Sequence, residues 1–170
     1  MSENRMAVRS EWGSWMNTGT AASPVWSRIG EGFTDFELSY SPNEYSAHYV
    51  HEKTERKTLT GYAPEFSFSC DVFTQDPVIR EIMKVTDDEL IGTDSVREIV
   101  SANMYDPLDN EPDTYPAFKR AWSIIPGSKG SGVDALNLSG TFSAFGDSIR
   151  GTFNTKTKTF TEVEVTAPED

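Results

Sequence analysis

The strongest constraint on this chain is an alternation of apolar and polar side chains with a period of two. The alternation is clearest between residues 65 and 72. One set of alternate positions is apolar or carries the thiol: Phe66, Phe68, Cys70 and Val72. The other set is polar: Glu65, Ser67, Ser69 and Asp71. Successive side chains of a β-strand point to opposite faces of a sheet, so the pattern predicts a half-buried strand.

The same period recurs along most of the chain. It predicts further strands at about 36–40, 45–50, 59–62, 96–105, 118–124, 136–144, 149–153 and 159–165. The dipeptide Gly146-Asp147 is typical of a hairpin turn, so we expect the strands on either side of it to pair with each other. The glycine-rich run 126–132 is expected to end the strand that precedes it.

One segment instead has helical spacing. Asp76 is a suitable N-cap and Pro77 would occupy the first helical position, where a missing N–H costs nothing. The apolar residues that follow fall on one stripe: Val78, Ile79, Ile82, Met83 and Val85. The sequence therefore predicts a mainly β fold, a β-sandwich or barrel with one flanking α-helix at about 77–86.

The length of 170 residues suits one domain. We expect that domain at 31–166, followed by an acidic C-terminal tail at 167–170. Residues 1–30 are rich in small and polar residues and are interpreted as an N-terminal arm. The arm carries three aromatic side chains that disordered tails rarely contain: Trp12, Trp15 and Trp26. It is expected either to fold back on its own core or to dock on a neighbouring subunit.

The formal net charge is −12, and it is unevenly distributed. Residues 115–160 carry six basic and two acidic side chains, whereas the rest of the chain is strongly acidic. An acidic chain repels phosphates, so specific nucleic-acid binding is not expected. The unevenness would suit head-to-tail association. We also expect no membrane anchor, and the single Cys70 fits a reducing cytoplasm.

Catalytic and metal-binding patterns are not evident in the sequence. His48 and His51 are three positions apart on an expected strand, so they would point to opposite faces. Cys70 lies on the apolar face of its strand, where a thiol behaves as a small hydrophobe. The run at 127–132 lacks the spacing of a phosphate-binding loop. We therefore expect no enzyme activity, no metal site and no cofactor.

Several short segments, taken in order, resemble the tail tube (major tail) proteins of long-tailed, siphovirus-type bacteriophages. The segments are Trp26-Ser27-Arg28-Ile29-Gly30-Glu31-Gly32-Phe33-Thr34, Ser41-Pro42-Asn43-Glu44 before Tyr49-Val50, Thr60-Gly61-Tyr62-Ala63-Pro64, Asp76-Pro77-Val78, and Gly146-Asp147-Ser148-Ile149-Arg150-Gly151-Thr152-Phe153 before 157–161. The order and spacing of these segments over about 26–162 carry the resemblance.

The resemblance implies a structural virion protein whose copies form hexameric rings. The inner sheets of a ring join into a continuous β-barrel, and rings stack into the tube through which genomic DNA is delivered. Implied partners are a tape measure protein, a tail terminator and distal tail proteins, with only transient, non-specific passage of DNA. The implied location is the virion tail, after synthesis and assembly in the cytoplasm of the host bacterium.

Within that expectation, two surfaces are candidates for function. The connection at 51–57, with His51, Lys53, Arg56 and Lys57, is the candidate contact with the next ring. The polar set of Glu65, Ser67, Ser69 and Asp71 is the candidate lumen-facing strand. The three arm tryptophans are candidate contacts between subunits.

Two other classes remain open. A carbohydrate-binding β-sandwich module would use Trp12 or Trp15 as an exposed stacking platform. Another phage tail part, such as a terminator, or a contractile injection tube would use a related fold.

Overall fold

The computed structural model describes residues 4–163, and within them the chain forms eleven strands and one α-helix. The strands are β1 (Trp12–Asn17), β2 (Trp26–Ile29), β3 (Phe33–Ser39), β4 (Pro42–Ala47), β5 (Arg56–Tyr62), β6 (Glu65–Asp71), β7 (Val96–Asn103), β8 (Thr114–Lys129), β9 (Asn137–Ala144), β10 (Ile149–Asn154) and β11 (Thr159–Glu162). The helix is α1 (Pro77–Asp87).

Nine of these strands form one antiparallel sheet. Its main path runs β2-β1-β7-β8-β9-β6-β3, and β10 and β11 attach beside β8. The remaining two strands, β4 and β5, form a separate ribbon. This architecture confirms the expected fold class, a mainly β, sandwich-like fold with one flanking helix. No helix among the described residues is long and apolar enough to span a membrane.

The long strand β8 connects the two parts of the sheet. Along one edge it pairs with β7 from Ala117 to Ser123. Along the other edge its C-terminal half pairs with β9 and its N-terminal half pairs with β10. The expectation that Gly146-Asp147 closes a hairpin is therefore wrong. Instead, the turn carries the chain from β9 to β10 along the same edge of β8.

β8 also continues past the point where the sequence was expected to break it. It runs through Pro126 and Gly127 to Lys129, with a register shift between Pro126 and Ser128 that marks a bulge. A bulge accommodates a proline, which lacks the N–H of a regular ladder. A Cβ on the facing Gly140 would lie 2.5 Å from the carbonyl oxygen of Ile125, so the close approach of the two strands requires glycine.

The larger core lies on one side of β1, β7 and β8. Its centre is aromatic: Phe36 stacks on Phe66 at 4.5 Å between ring centroids, and Phe68 stacks on Phe142 at 4.6 Å. The helix covers this core with an apolar stripe of Val78, Ile79, Ile82 and Val85. The Asp76 carboxylate caps the helix by accepting hydrogen bonds from the backbone N–H groups of Val78 and Ile79, at 2.9 and 3.1 Å.

A smaller core lies on the opposite side of the same strands. It contains Trp15, Trp26, Val100, Ala102, Ala117 and Phe153. Neighbouring residues therefore point to different cores, as Trp15 and Met16 do on β1. Because β1 and β7 are covered on both faces, the segment containing the tryptophans is a structural part of the domain.

Candidate assembly surfaces

The ribbon of β4 and β5 is the most exposed element of the described chain. Its strands pair with each other and with no other described strand. Every residue of the two strands is exposed except Ala47 and Gly61, which are half-buried. Two paired strands without further support are marginally stable in water. The ribbon therefore receives little stabilisation from its own subunit.

Large apolar and aromatic side chains remain exposed on the ribbon and at its base. They are Tyr40, Tyr45, Tyr49, Val50, Leu59 and Tyr62. Scattered exposed apolar residues are normal on a protein surface, but a concentration of them on one projecting element is typical of an interaction site. The ribbon is thus suited to pack against another molecule.

The four residues expected to form a loop occupy two different positions on this ribbon. His51 and Lys53 lie in the connection between the strands, whereas Arg56 and Lys57 are the first residues of β5. The guanidinium of Arg56 forms an ion pair with the half-buried Glu52 carboxylate, and the His51 ring nitrogen Nε2 lies 3.6 Å from the same carboxylate. The side chains of all four residues are exposed, as expected for a contact surface.

A second surface is the polar face of four adjacent strands: β3, β6, β9 and the C-terminal half of β8. The four residues expected on this face, Glu65, Ser67, Ser69 and Asp71, do lie opposite the buried side chains of β6. Ser67 is exposed and the other three are half-buried. The strand register places further polar residues beside them: Asp35, Glu37, Ser39, Ser123, Ser128, Asn137, Ser139, Thr141 and Ser143.

Hydrogen bonds link the side chains across this face. Ser128 Oγ lies 2.7 Å from Ser139 Oγ, and Asn137 Nδ2 donates to Ser69 Oγ at 3.3 Å. The register shows four carboxylates on the face, those of Asp35, Glu37, Glu65 and Asp71, and no lysine or arginine among its described residues. The alternation of apolar residues along β9 was the signal that could have identified the additional serines.

The polar face also has an unpaired strand edge on each side. β3 pairs only with β6 among the described strands, and its other edge receives one hydrogen bond, from Arg9 Nη2 to the Phe36 carbonyl at 2.8 Å. On the far side, β8 pairs with β7 only as far as Ser123. The edge of β8 from Ile124 to Lys129 that faces away from β9 therefore has no strand partner within residues 4–163.

The structure places all three arm tryptophans on the body of this same chain. Trp15 and Trp26 are 3% and 5% exposed and pack in the smaller core. Trp12 is half-buried, stacks on Phe66 at 6.1 Å and lies under the guanidinium of Arg9 at 5.0 Å. Residues 12–29 thus include two strands of the main sheet and do not form a projecting arm. Trp15 is too deeply buried to be a stacking platform for a sugar.

The cysteine and the two histidines lie in different parts of the described structure, Cys70 on β6 and the histidines between β4 and β5. Burial raises the pKa of the Cys70 thiol to about 11, which keeps it protonated near neutral pH. The Nε2 atom of His48 hydrogen-bonds to the Glu52 carbonyl oxygen at 2.7 Å. Within residues 4–163 there is no group of three or more His, Cys, Asp or Glu side chains placed to hold a metal ion.

Comparisons with known proteins give a fold and no family. No protein-family model matches the sequence, and no curated protein matches it. Among solved structures, the chain is similar to a chain of the anti-feeding prophage (AFP) tube terminating cap, with a TM-score of 0.54, 10% identity, and coverage of 91% of this chain and 95% of that chain. At this identity the likeness shows a shared fold.

Two further solved structures show weaker likeness. A chain of the sixfold-symmetrised AFP baseplate has a TM-score of 0.47 at 10% identity, covering 92% of this chain and 99% of that chain. A chain of the PVC sheath-tube complex, an extracellular contractile injection system, has a TM-score of 0.44 at 13% identity, covering 82% and 86%.

Proposed function

We propose that this chain is a structural subunit of a phage-type tail tube, in which hexameric rings stack around a channel for genomic DNA. The observation that carries the proposal is the polar face of β3, β6, β9 and β8, which has an unpaired strand edge on each side. The fold shared with the AFP tube terminating cap supports it. As implied for such subunits, it would assemble with a tape measure protein, a tail terminator and distal tail proteins.

Ring closure would follow from the two unpaired edges. The edge of β3 in one subunit would pair with the Ile124–Lys129 edge of β8 in the next, extending the sheet around the ring. Because the two edges belong to different strands, the contact is heterologous and can repeat until a ring closes. Such pairing would also remove exposed strand edges, which otherwise promote aggregation.

The polar face would then line the channel. Its serine, threonine and asparagine side chains would stay hydrated, and its carboxylates would repel the phosphates of passing DNA. A surface without lysine or arginine gains nothing from counterion release, so DNA would not be retained. On this model, Glu65, Ser67, Ser69 and Asp71 face the lumen.

The ribbon would form the contact between stacked rings. Its exposed tyrosines would pack on the neighbouring ring, and Lys53, Arg56 and Lys57 would meet acidic residues there. Electrostatic complementarity of this kind sets orientation and register more than affinity.

The first test is negative-stain electron microscopy of the purified protein over a concentration series, with mass measured by size exclusion. We expect hollow rings or tubes with sixfold symmetry. A chain that stays monomeric even when mixed with preformed tubes of its own phage would contradict the proposal.

The ribbon is tested by reversing its charges. The combined change Lys53→Glu, Arg56→Glu and Lys57→Glu is expected to prevent stacking while the folded subunit, measured by circular dichroism, is unchanged. A matched control reverses three exposed charges elsewhere on the body, Arg80→Glu, Lys84→Glu and Lys158→Glu. Tubes formed equally well by both variants would rule out the ribbon as an electrostatic contact.

A second candidate is a terminating ring that caps a tube, and the likeness to the AFP tube terminating cap favours it. The same micrographs separate the two functions. A tube subunit elongates as its concentration rises, whereas a terminator forms single rings that bind only to tube ends.

A further inference from the structure

The outer edge of β3 is partly occupied by a side chain of the same chain. Arg9 Nη2 donates to the Phe36 carbonyl at 2.8 Å, an ordinary distance for a hydrogen bond in a β-ladder. The Phe36 carbonyl therefore points away from β6, toward the side on which a further strand would add. Alternate residues of an antiparallel strand point their backbone groups the same way, so Leu38 presents its own groups there as well. The Arg9 guanidinium thus lies where the backbone N–H of a pairing strand would lie.

A groove of about 1080 Å³ runs along this edge. It is lined on one side by residues of β3 and on the other by residues of β1 and β2, among them Trp12 and Ile29. The segment 8–10, which carries Arg9, also lines the groove. Neighbouring strands of a sheet lie about 4.8 Å apart, so a strand that paired with β3 would enter the groove and meet this segment.

Several contacts hold the Arg9 guanidinium in position. Arg9 Nη1 donates to the Trp12 carbonyl at 3.0 Å, and the guanidinium lies 5.0 Å from the centroid of the Trp12 ring. The turn that carries Arg9 is closed by Glu11, whose carboxylate accepts hydrogen bonds from the Val8 N–H at 2.9 Å and from Arg5 Nη1 at 3.0 Å. A guanidinium has several donors in one rigid plane, so a single side chain bridges β1 and β3.

The same contact can be exchanged without unfolding the body. Arg9 is exposed, as are the other described residues that precede Glu11. Water can therefore solvate the guanidinium as it leaves, while a backbone N–H of an incoming strand takes over the Phe36 carbonyl. Charged side chains at edge strands are a common means by which proteins prevent unwanted pairing.

We propose that the Arg9 guanidinium blocks strand pairing at the β3 edge in the free subunit, and that it must be displaced before a second copy of the chain can pair there. The chain itself carries a complementary strand edge at 124–129 of β8, which is also unpaired within residues 4–163. The choice of a second copy as the partner rests on the proposed function, in which these two edges join. The block would make the first contact between subunits the slow step of assembly.

The test compares the self-association of Arg9→Ala with that of the natural chain by sedimentation velocity over a concentration series. Arg80→Ala is the matched control, because Arg80 is an exposed arginine on α1 and its loss removes the same charge. At a net charge of −12, the loss of one positive charge alone should weaken association in both variants. Loss of the block should instead lower the concentration at which Arg9→Ala associates by roughly tenfold, the low end for one hydrogen bond to a charged group.

Two further measurements sharpen the test. Arg9→Lys keeps the charge and loses the planar fork, so it should shift association in the same direction by a smaller factor. Amide hydrogen exchange should slow in Phe33–Ser39 when Arg9→Ala associates, because the outward N–H groups of β3 then bond to the second copy. Circular dichroism confirms that each variant is folded.

The outcomes separate this proposal from the proposed function. Arg9→Ala that associates no more readily than Arg80→Ala, or slowed exchange confined to strands other than β3, would overturn the block. Sixfold rings or tubes in micrographs of Arg9→Ala, with β3 protected, would support both the block and the tube. Irregular clusters with β3 protected would support the block and contradict the tube.

Discussion

The sandwich body and the β4–β5 ribbon are both built from antiparallel strands, yet they differ in what covers them. The strands of the body bury large apolar side chains on one face or on both, as β1 does with Trp15 and Met16. The ribbon buries almost nothing, although it carries several tyrosines. Both regions have paired strands, so strand pairing does not distinguish them. They differ in how much apolar surface each removes from water.

We therefore expect the body to determine the stability of the subunit and the ribbon to determine its association with other molecules. A change in the body should lower the free energy of unfolding and leave the assembly surfaces chemically intact. A change in the ribbon should leave the free energy of unfolding nearly unchanged and should alter an assembly surface. The following predictions test that division, in order of decreasing effect on the free energy of unfolding.

The largest effect is expected from Phe142→Ala. Phe142 is fully buried and stacks on Phe68 at 4.6 Å, so its removal leaves a cavity that rigid neighbours fill only in part. We expect the free energy of unfolding to fall by about 3–5 kcal/mol, as measured by urea denaturation. A loss below about 1 kcal/mol, the usual effect of a minor core change, would show that this core is loosely packed.

A smaller effect is expected at the start of the helix. Asp76→Ala removes the carboxylate that accepts hydrogen bonds from Val78 and Ile79, and the expected loss is about 1 kcal/mol. Asp76→Asn keeps an acceptor oxygen at the same position and is the matched control. Equal losses in the two variants would show that the carboxylate charge, and not the cap geometry, stabilises the helix.

The smallest effect is expected on the ribbon. Leu59→Ala and Tyr45→Ala remove exposed side chains that belong to neither core, so each should change the free energy of unfolding by less than about 0.5 kcal/mol. If the ribbon packs against a neighbour, both changes should raise the protein concentration required for assembly, as followed by light scattering. A large loss of subunit stability would mean that the ribbon folds against its own body.

Sequence patterns predicted the structure correctly where it depends on residues close together along the chain. The alternation at 65–72 correctly assigned both faces of β6, and Asp76 with Pro77 correctly located the helix start. The helix ends at Asp87, one residue beyond the expected boundary. Such features depend on neighbours within a few residues along the chain.

Pairing between distant strands was not predictable in the same way. Gly146-Asp147 has the composition of a hairpin turn, yet β10 pairs with β8 because β8 is long enough to serve both β9 and β10 along one edge. Pro126 and Gly127 suggested a strand end, but a bulge and the facing Gly140 accommodate them. In each case a tertiary contact overrides the local signal.

The candidate surfaces were predictable only in part. The polar set of β6 was visible in the sequence, but its neighbours on β3 and β9 required the strand register. The strand expected at 45–50 lies instead at Pro42–Ala47. Its pairing with β5 in a separate ribbon was therefore not predicted. The sequence indicated that Trp15 and Trp26 pack against a protein surface. Only the fold shows that this surface is the smaller core of the same chain.

The length of β8 limits how this protein can vary. Because side chains alternate along a strand, inserting a single residue near Lys119 would turn every later position of β8 to the other face. Trp122 and Ile124 would then point away from the larger core, and Ser123 would enter it. Homologous chains should therefore accept insertions and deletions in the segments that flank β8, at 104–113 and 130–136, and keep the number of residues between Thr114 and Lys129 constant.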